Sequence, residues 1–312
     1  MNGNADKSSS AKSILYQTCQ ARLWGTMGKI IAIVNQKGGV GKTTTCINLA
    51  ASMALLEQKT LLIDLDPQAN ATTGSLLQKD LEPHIAQVLL DEVPIEQSLI
   101  ITPANYTLIP GSGNLTQTEI QLLKLEQREY TLKKKLNLLV DTYDYILLDC
   151  PPSLNILTVN ALVAAHFVII PVQCEYFALE GLSNLMNTLQ SLRATVNPNL
   201  QIHGILRTLF DGRNSLTKQI SEELFIHFKD KMYSTLIPRN IRLAEAPSHG
   251  QPALLYDPQS NGSQAYLNLA KEVLTRDGCT IPSVETPADI PSNIFLKKRS
   301  HFEKSPSVEQ VL

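Results

Sequence analysis

Short apolar runs alternate along most of this chain with longer stretches whose apolar residues recur at helical spacing. The runs that predict buried strands are continuous and of strand length: residues 30–34, 61–65, 145–148, 166–172, 202–209 and 232–237. The stretches that predict helices are residues 43–57, 179–192, 215–228 and 263–274. This alternation predicts an α/β fold, in which helices cover both faces of a mostly parallel, twisted sheet.

The first predicted helix and the two ends of the chain complete the outline. The helix at 43–57 has apolar residues at helical spacing, and Asn48 and Ser52 are expected on its outer surface. Residues 1–26 are polar and predict a disordered leader, whereas residues 27–278 predict one domain. Residues 279–312 are rich in Pro, Ser and Glu and predict a disordered tail, with a short basic amphipathic helix at 294–302 as the alternative.

The composition narrows the classes of function. With 27 Lys and Arg against 29 Asp and Glu, the chain lacks a general basic coat, so any nucleic-acid contact needs a local patch. The five cysteines form no C-x-x-C pair, which argues against a zinc site or a disulfide framework and favours a reducing cytoplasm. No apolar run reaches the roughly 18 residues of a membrane span. The leader lacks the apolar centre of a secretory signal, and a Ser-rich transit peptide remains its alternative.

Residues 35–44 lie between the first predicted strand and the first predicted helix, where a phosphate-binding loop is expected. Gly38, Gly39 and Gly41 allow the backbone to approach phosphate oxygens, which the N–H groups of the loop and of the helix start can bind. The alternative is a glycine-rich turn that binds nothing, and the agreement of glycines, lysine and strand–helix context argues against it.

The end of this loop carries the side chains that the chemistry of a nucleotide requires. Lys42 is expected to reach the β- and γ-phosphates, and the Thr43 hydroxyl is expected to ligate Mg²⁺. Val40 and Thr44 complete the predicted cradle. The standard pattern G-x-x-x-x-G-K-S/T needs glycine at position 36, where this chain has Gln36.

The departure from the standard pattern is informative, because K-G-G-x-G-K-T-T begins with an additional lysine, Lys37. This loop resembles the deviant Walker A loop of the family that includes ParA, Soj, MinD and the nitrogenase iron protein. The resemblance implies that Lys37 reaches across a nucleotide-sandwich homodimer to the phosphates bound by the partner subunit. Dimerisation would then depend on ATP.

Acidic residues follow two of the predicted strands, at the sheet edge where ligands of α/β proteins bind. Asp64 and Asp66 end the second strand, and an acid beside the γ-phosphate can orient the attacking water. The sequence D-x-D-P-Q is similar to the second motif of the family, which implies a water-positioning role for Asp66 and a supporting role near Mg²⁺ for Asp64. The alternative for this Asp-Pro pair is a plain turn. Asp149 ends the strand at 145–148 and is expected to hold Mg²⁺ through a water.

A later segment resembles one branch of the family. Residues 238–248 read P-R-N-x-R-L-x-E-A-P-S, which is similar to ParA/Soj partitioning ATPases specifically. The resemblance, which covers residues 27–276, implies that Pro238 and Asn240 border the adenine. It also implies non-specific DNA binding by the ATP dimer, through Arg213 and Arg242. The alternative is that each arginine only solvates a helix start.

The function implied by the resemblance is that of a Mg-ATP-dependent ATPase in chromosome or plasmid segregation. It would act in the cytoplasm on the nucleoid, with a ParB/Spo0J-like centromere-binding partner. One alternative is a MinD-like membrane-associated regulator of division, which would need 294–302 as an amphipathic anchor. Because this segment is short and bounded by prolines, a membrane partner is not expected. Another is an iron–sulfur or reductase component, which the cysteine positions disfavour. Cys150 is accordingly expected to be a packing residue.

Overall fold

The computed structural model describes residues 28–76, 78 and 81–282, and their strands form one eight-stranded sheet. The strands are β1 (Lys29–Ile33), β2 (Thr60–Asp64), β3 (Ile100–Ile101), β4 (Thr107–Ile109), β5 (Tyr145–Asp149), β6 (Phe167–Gln173), β7 (Gln201–Phe210) and β8 (Met232–Pro238). Their order across the sheet is β3-β4-β2-β5-β1-β6-β7-β8. Every neighbouring pair is parallel except β3 and β4. The predicted mostly parallel sheet is confirmed.

Helices pack on both faces of this sheet. They are α1 (Lys42–Leu55), α2 (Asn70–Leu76), α3 (Ile85–Leu89), α4 (Leu115–Leu122), α5 (Thr131–Leu136), α6 (Ile156–Ala164), α7 (Ala178–Thr195), α8 (Ser215–Phe228), α9 (Ile241–Glu245), α10 (Ala253–Tyr256) and α11 (Asn261–Arg276). Strand β1 shows the two faces, because its side chains alternate between two apolar clusters. Ile31 packs in a cluster with residues of α1 and α11, whereas Ile30 packs in a cluster with residues of α6 and α7.

The six predicted strands and four predicted helices all appear, with ends shifted by at most three residues. The sequence pattern predicts no element between residues 66 and 144, where the structure has β3, β4 and α2 to α5. It also predicts none at α6, α9 or α10. The predictions for residues 1–26, for residues 283–312 and for the helix at 294–302 lie outside the described residues. No helix in the described part of the chain is long and apolar enough to cross a membrane.

Helix α1 is more deeply buried than its sequence pattern predicts. Asn48 and Ser52 were expected on its outer surface, yet they are only 4% and 0% exposed. The prediction is wrong because the segment that begins α10 covers this side of the helix. Asn48 accepts a hydrogen bond from the Ala253 N–H (2.8 Å) and donates one to the Thr44 carbonyl (2.8 Å). The helix that follows the phosphate loop therefore packs against the start of α10 as well as against the sheet.

Candidate nucleotide-binding site

The predicted loop and acids meet at one edge of the sheet because parallel strands end on the same side. Strand β5 lies between β1 and β2, and its last residue, Asp149, is in register with Ile33 and with Asp64. The loop at 35–41 follows β1 at this edge and leads into α1. The edge therefore collects the loop and both acidic motifs.

The loop has the backbone conformation that its glycines predict. Gly39 and Gly41 have φ angles of 75° and 85°, in the left-handed region that side chains other than glycine rarely adopt. A Cβ atom added at Gly38 or Gly39 would meet no atom within 4 Å, so the backbone here faces open space. This surface can take phosphate oxygens onto its N–H groups.

Two side-chain hydrogen bonds anchor the loop to neighbouring strands. Asn35 donates from Nδ2 to the Pro171 carbonyl in β6 (2.8 Å), and Thr208 of β7 donates to the Val40 carbonyl (2.8 Å). Strands β6 and β7 thus hold both ends of the loop, which favours a preformed cradle over a mobile turn.

Lys42 is buried at the start of α1, with only 6% of its surface exposed. Its ammonium donates to the Lys37 carbonyl (3.1 Å) and so lies along the inside of the loop. Burial lowers the pKa of Lys42, while the nearby carboxylate of Asp149 acts in the opposite direction. A desolvated ammonium whose neutral partner is a carbonyl can bind phosphate strongly, because little water must be removed from it.

Asp149 is fully buried and has one oxygen that is not satisfied. Its Oδ1 accepts from the Cys46 thiol (3.4 Å), and the nearby Thr43 hydroxyl acts to lower the pKa of this carboxylate. Its Oδ2 has no hydrogen-bond partner among the described residues. Burial, and then the charge of Asp64, raise the pKa of Asp149 to about 8. A buried carboxylate oxygen without a partner is suited to a cation or to a water bound by one, so the residues present fit Mg²⁺.

Asp64, the second acid at this edge, has both carboxylate oxygens occupied. Its Oδ2 accepts from the N–H (2.8 Å) and the hydroxyl (2.7 Å) of Thr72, and its Oδ1 accepts from the Asp66 N–H (3.2 Å). Burial raises the pKa of Asp64 to about 6 despite these donors. These bonds hold Asp66 in place, which favours a supporting role for Asp64 over direct metal ligation.

Asp66 stands two residues beyond the end of β2 at the same edge. Its Oδ1 accepts from the Gln68 N–H (3.0 Å), and its carbonyl accepts from the Ala69 N–H (2.9 Å). Its Oδ2 has no hydrogen-bond partner among the described residues. Asp66 lies near enough to Lys42 to act on the pKa of that ammonium. A carboxylate oriented by its own turn, with one oxygen available, can position a water beside the terminal phosphate.

The additional lysine of the loop points away from this interior. Lys37 donates its backbone N–H to Asn35 Oδ1 (2.9 Å), and its ammonium forms an ion pair with Glu175, in the loop between β6 and α7. No motif in the sequence marks Glu175 as a site residue.

Comparison with known proteins agrees with this geometry. A family profile described as an AAA domain matches residues 28–202. The sporulation initiation inhibitor protein Soj of Bacillus subtilis is 51% identical over 249 residues, which are 79% of this chain and 98% of that protein. The chromosome partitioning protein ParA of Myxococcus xanthus is 48% identical over 258 residues, 82% of this chain and 91% of that protein.

A solved structure supports the same assignment. The cobyrinic acid a,c-diamide synthase of Mycobacterium smegmatis, crystallised with ADP and magnesium, is 32% identical and has a TM-score of 0.71. The match covers 83% of this chain and 100% of that chain. The chain belongs to the ParA/Soj family of partitioning ATPases. The family and the ATPase activity predicted from the sequence are therefore confirmed.

The adenine-bordering residues predicted for this ParA/Soj-type chain lie at the same edge. Pro238 ends β8, and Asn240 caps α9 by accepting from the Arg242 N–H on its Oδ1 (2.8 Å). The Asn240 amide nitrogen remains as a donor. Contact of Pro238 and Asn240 with adenine stays a prediction.

The two arginines predicted to contact DNA are both paired with acids. Arg213, whose side chain is 91% exposed, donates twice to Asp211 (2.9 Å each). These bonds from Arg213 lower the pKa of Asp211 to about 2. Arg242 pairs with Glu245 (2.9 Å) and with Asp257 (3.0 Å). Exposed pairs of this kind are weak, so phosphate can replace the carboxylates.

Thr72 is a site residue that the sequence did not reveal. Its hydroxyl donates to Asp64 and accepts from the Gly111 N–H (2.8 Å), which joins α2, β2 and the segment after β4. Nothing in the local sequence distinguishes it from Thr73, because the acid and the glycine that it joins are far apart along the chain.

We expect Thr72→Val to lower the free energy of unfolding by about 3 kcal/mol, because a charged hydrogen bond is lost and a buried N–H is left without a partner. Denaturant unfolding of the nucleotide-free chain measures this. Thr73→Val is the matched control, since the Thr73 hydroxyl donates only to the Ala69 carbonyl of the preceding turn, and we expect a change below about 1 kcal/mol. Equal losses in the two variants would contradict the role of Thr72.

Proposed function

We propose that this ParA/Soj-family chain is a Mg-ATP-dependent ATPase that forms a homodimer when it binds ATP and acts in chromosome or plasmid segregation. The observation that carries the proposal is the phosphate loop itself. Lys42 lies inside the loop, and Lys37 stands outside it with a side chain that is 51% exposed. This difference supports a division in which Lys42 serves the nucleotide of its own subunit and Lys37 serves that of a second subunit.

ATP and Mg²⁺ are the cofactors, and the described residues divide their binding. The loop N–H groups from Gly38 to Thr44 and the Lys42 ammonium bind the phosphates. The Thr43 hydroxyl and Asp149 would hold Mg²⁺, and Asp64 would support this side of the site. Mg²⁺ neutralises charge on the β- and γ-phosphates when it is bound. Pro238 and Asn240 border the adenine.

Hydrolysis then depends on a water that Asp66 orients. The oriented water attacks the terminal phosphorus, and the bond to the bridging oxygen of ADP breaks, which gives ADP and inorganic phosphate. Lys42 and Lys37 stabilise the charge that spreads over the phosphate oxygens. Since Lys37 would contribute from the other subunit, hydrolysis and dimerisation are coupled.

Lys37→Ala tests whether Lys37 serves the nucleotide of the partner subunit and Lys42 that of its own. We expect the variant to bind ATP with nearly wild-type affinity but to stay monomeric and to lose hydrolysis, because its own nucleotide is held by the loop and Lys42. Size-exclusion chromatography with and without ATP reports the oligomeric state, and a fluorescent ATP analogue reports affinity. Normal ATP-dependent dimers of the variant would refute the role of Lys37 in the partner's site.

The dimer is proposed to bind DNA without sequence preference and to act with a ParB/Spo0J-like partner on the nucleoid. Arg213 and Arg242 supply the phosphate contacts, and both follow strands that end at the nucleotide edge, β7 and β8. Their acidic partners leave the patch without excess positive charge in one subunit, so a single subunit should bind DNA weakly.

We expect Arg213→Ala combined with Arg242→Ala to retain ATP-dependent dimers but to weaken capture of random-sequence duplex. Each lost phosphate contact lowers the log–log salt slope by about 0.9. The loss should be equal for different DNA sequences, because phosphates carry no base information. Salt titration of DNA binding by an ATP-trapped dimer measures both effects. Unchanged affinity and slope would place the DNA-binding patch elsewhere.

Sedimentation with duplex DNA and with anionic liposomes, each with and without ATP, tests the proposed function against the MinD-like alternative. The partitioning function predicts ATP-dependent capture by DNA alone. ATP-dependent capture by liposomes alone would favour the membrane-associated alternative, whose anchor at 294–302 lies outside the described residues.

A further inference from the structure

The side chain of Lys37 is not free in the single subunit. Its ammonium forms an ion pair with Glu175, and the two side chains are 51% and 47% exposed. The Lys37 backbone is also fixed on both sides, by the bond from its N–H to Asn35 and by the bond from Lys42 to its carbonyl. The lysine is therefore directed toward the loop after β6.

Glu175 stands at the nucleotide edge on a turn that two backbone hydrogen bonds hold. Its N–H donates to the Gln173 carbonyl (2.9 Å), and its carbonyl accepts from the Ala178 N–H (2.9 Å) as α7 begins. The next two residues, Tyr176 and Phe177, are 72% and 67% exposed, and their rings form an edge-to-face pair at 5.0 Å. The acid thus lies where an exposed aromatic surface adjoins the phosphate loop.

We propose that Glu175 sets the threshold of ATP-dependent dimerisation. Its carboxylate competes with the partner's ATP for the Lys37 ammonium. The inference rests on the proposed function, in which Lys37 serves the second subunit. A phosphate of the partner's nucleotide must displace a carboxylate that is already paired with the lysine. The terminal phosphate of ATP carries more negative charge than a carboxylate and accepts more hydrogen bonds, so it can win this competition.

The strength of the pair sets the size of the effect. An ion pair that is about half exposed changes an equilibrium constant by a factor of about 1.5 to 5. Two such pairs open when a symmetric dimer forms, so their factors multiply to about 2 to 25. Glu175 would therefore set the threshold of ATP-dependent assembly without blocking it.

The test is Glu175→Gln in the full chain, which keeps the shape of the side chain and removes its charge. Sedimentation velocity over a range of protein concentrations, with a saturating non-hydrolysable ATP analogue, gives the concentration at half-dimerisation. We expect this midpoint to fall about 2- to 25-fold, because the lysine no longer has to leave a carboxylate. Affinity for the analogue, measured well below the midpoint, should stay within about twofold.

Glu180→Gln is the matched control, with the same loss of charge five residues further along the chain. Glu180 lies in the first turn of α7, is exposed, and forms no ion pair with the described residues. Its midpoint should change by less than about twofold.

Three outcomes would overturn the inference in distinguishable ways. An unchanged midpoint for Glu175→Gln, or a shift equal to that of Glu180→Gln, would show that the ion pair does not compete with assembly. A raised midpoint would show that Glu175 stabilises the dimer. A wild-type chain that stays monomeric with the saturating analogue would instead refute the proposed function, and this inference with it.

Discussion

Lys42→Ala should reduce ATP binding more than any other single substitution in the loop. Lys42 is the one side-chain cation that lies inside the loop among the described residues, where its ammonium now bonds only to a carbonyl. Charge-assisted hydrogen bonds to two phosphate groups contribute about 3 to 6 kcal/mol together, which corresponds to a loss of about 10² to 10⁴ in affinity. Calorimetric titration with ATP and Mg²⁺ measures the loss.

The matched control is Lys59→Ala, which removes the same charge at the opposite edge of the sheet. Lys59 is exposed and immediately precedes β2, so its loss should leave ATP affinity unchanged. Thermal unfolding without nucleotide should show that Lys42→Ala still folds, because removing a buried ammonium relieves a desolvation penalty. Wild-type affinity in a folded Lys42→Ala chain would contradict the proposed phosphate site.

The sequence predicts the strands and helices that have a regular pattern of apolar residues. It does not predict the elements whose formation depends on contacts with distant parts of the chain. Buried central strands such as β5 and β6 are continuous apolar runs, so periodicity alone finds them. Strand β3 has two residues and β4 has three, and both are held by pairing at one edge of the sheet, which no local pattern records. Asn48 is a polar residue that the start of α10 covers. Its burial therefore also depends on residues far along the chain.

The candidate site shows the same division. Loop glycines, Lys42 and Asp149 follow from chemistry at strand ends and helix starts, which is local in sequence. Thr72 and Glu175 act through partners that are 8 and 138 residues away, so only the fold brings them to the site. The arginine pairs are a third case, in which the partner is close in sequence but no motif reveals it. Asp211, which neutralises the charge of Arg213, is two residues away from it.

Asp66→Ala should leave ATP binding intact, block hydrolysis and trap the dimer. The phosphates are held by the loop and Lys42, so their affinity does not require this carboxylate. Its Oδ2 is available to orient water, whereas Asp64 is saturated by Thr72 and by the Asp66 N–H, and the open oxygen of Asp149 is assigned to Mg²⁺. Loss of a positioned acid or base of this kind slows chemistry by about 10²- to 10⁴-fold. A phosphate-release assay and sedimentation with saturating ATP measure the two effects.

Asp66→Asn separates orientation of water from support of the turn. The asparagine carbonyl can still accept from the Gln68 N–H, so the local backbone should keep its shape. We nevertheless expect hydrolysis to fall nearly as far as in Asp66→Ala, because an amide is a much weaker acceptor for the attacking water's proton. A hydrolysis rate close to wild type in Asp66→Asn would reduce Asp66 to a turn residue. A monomeric Asp66→Ala chain in saturating ATP would break the link between stalled hydrolysis and a stable dimer.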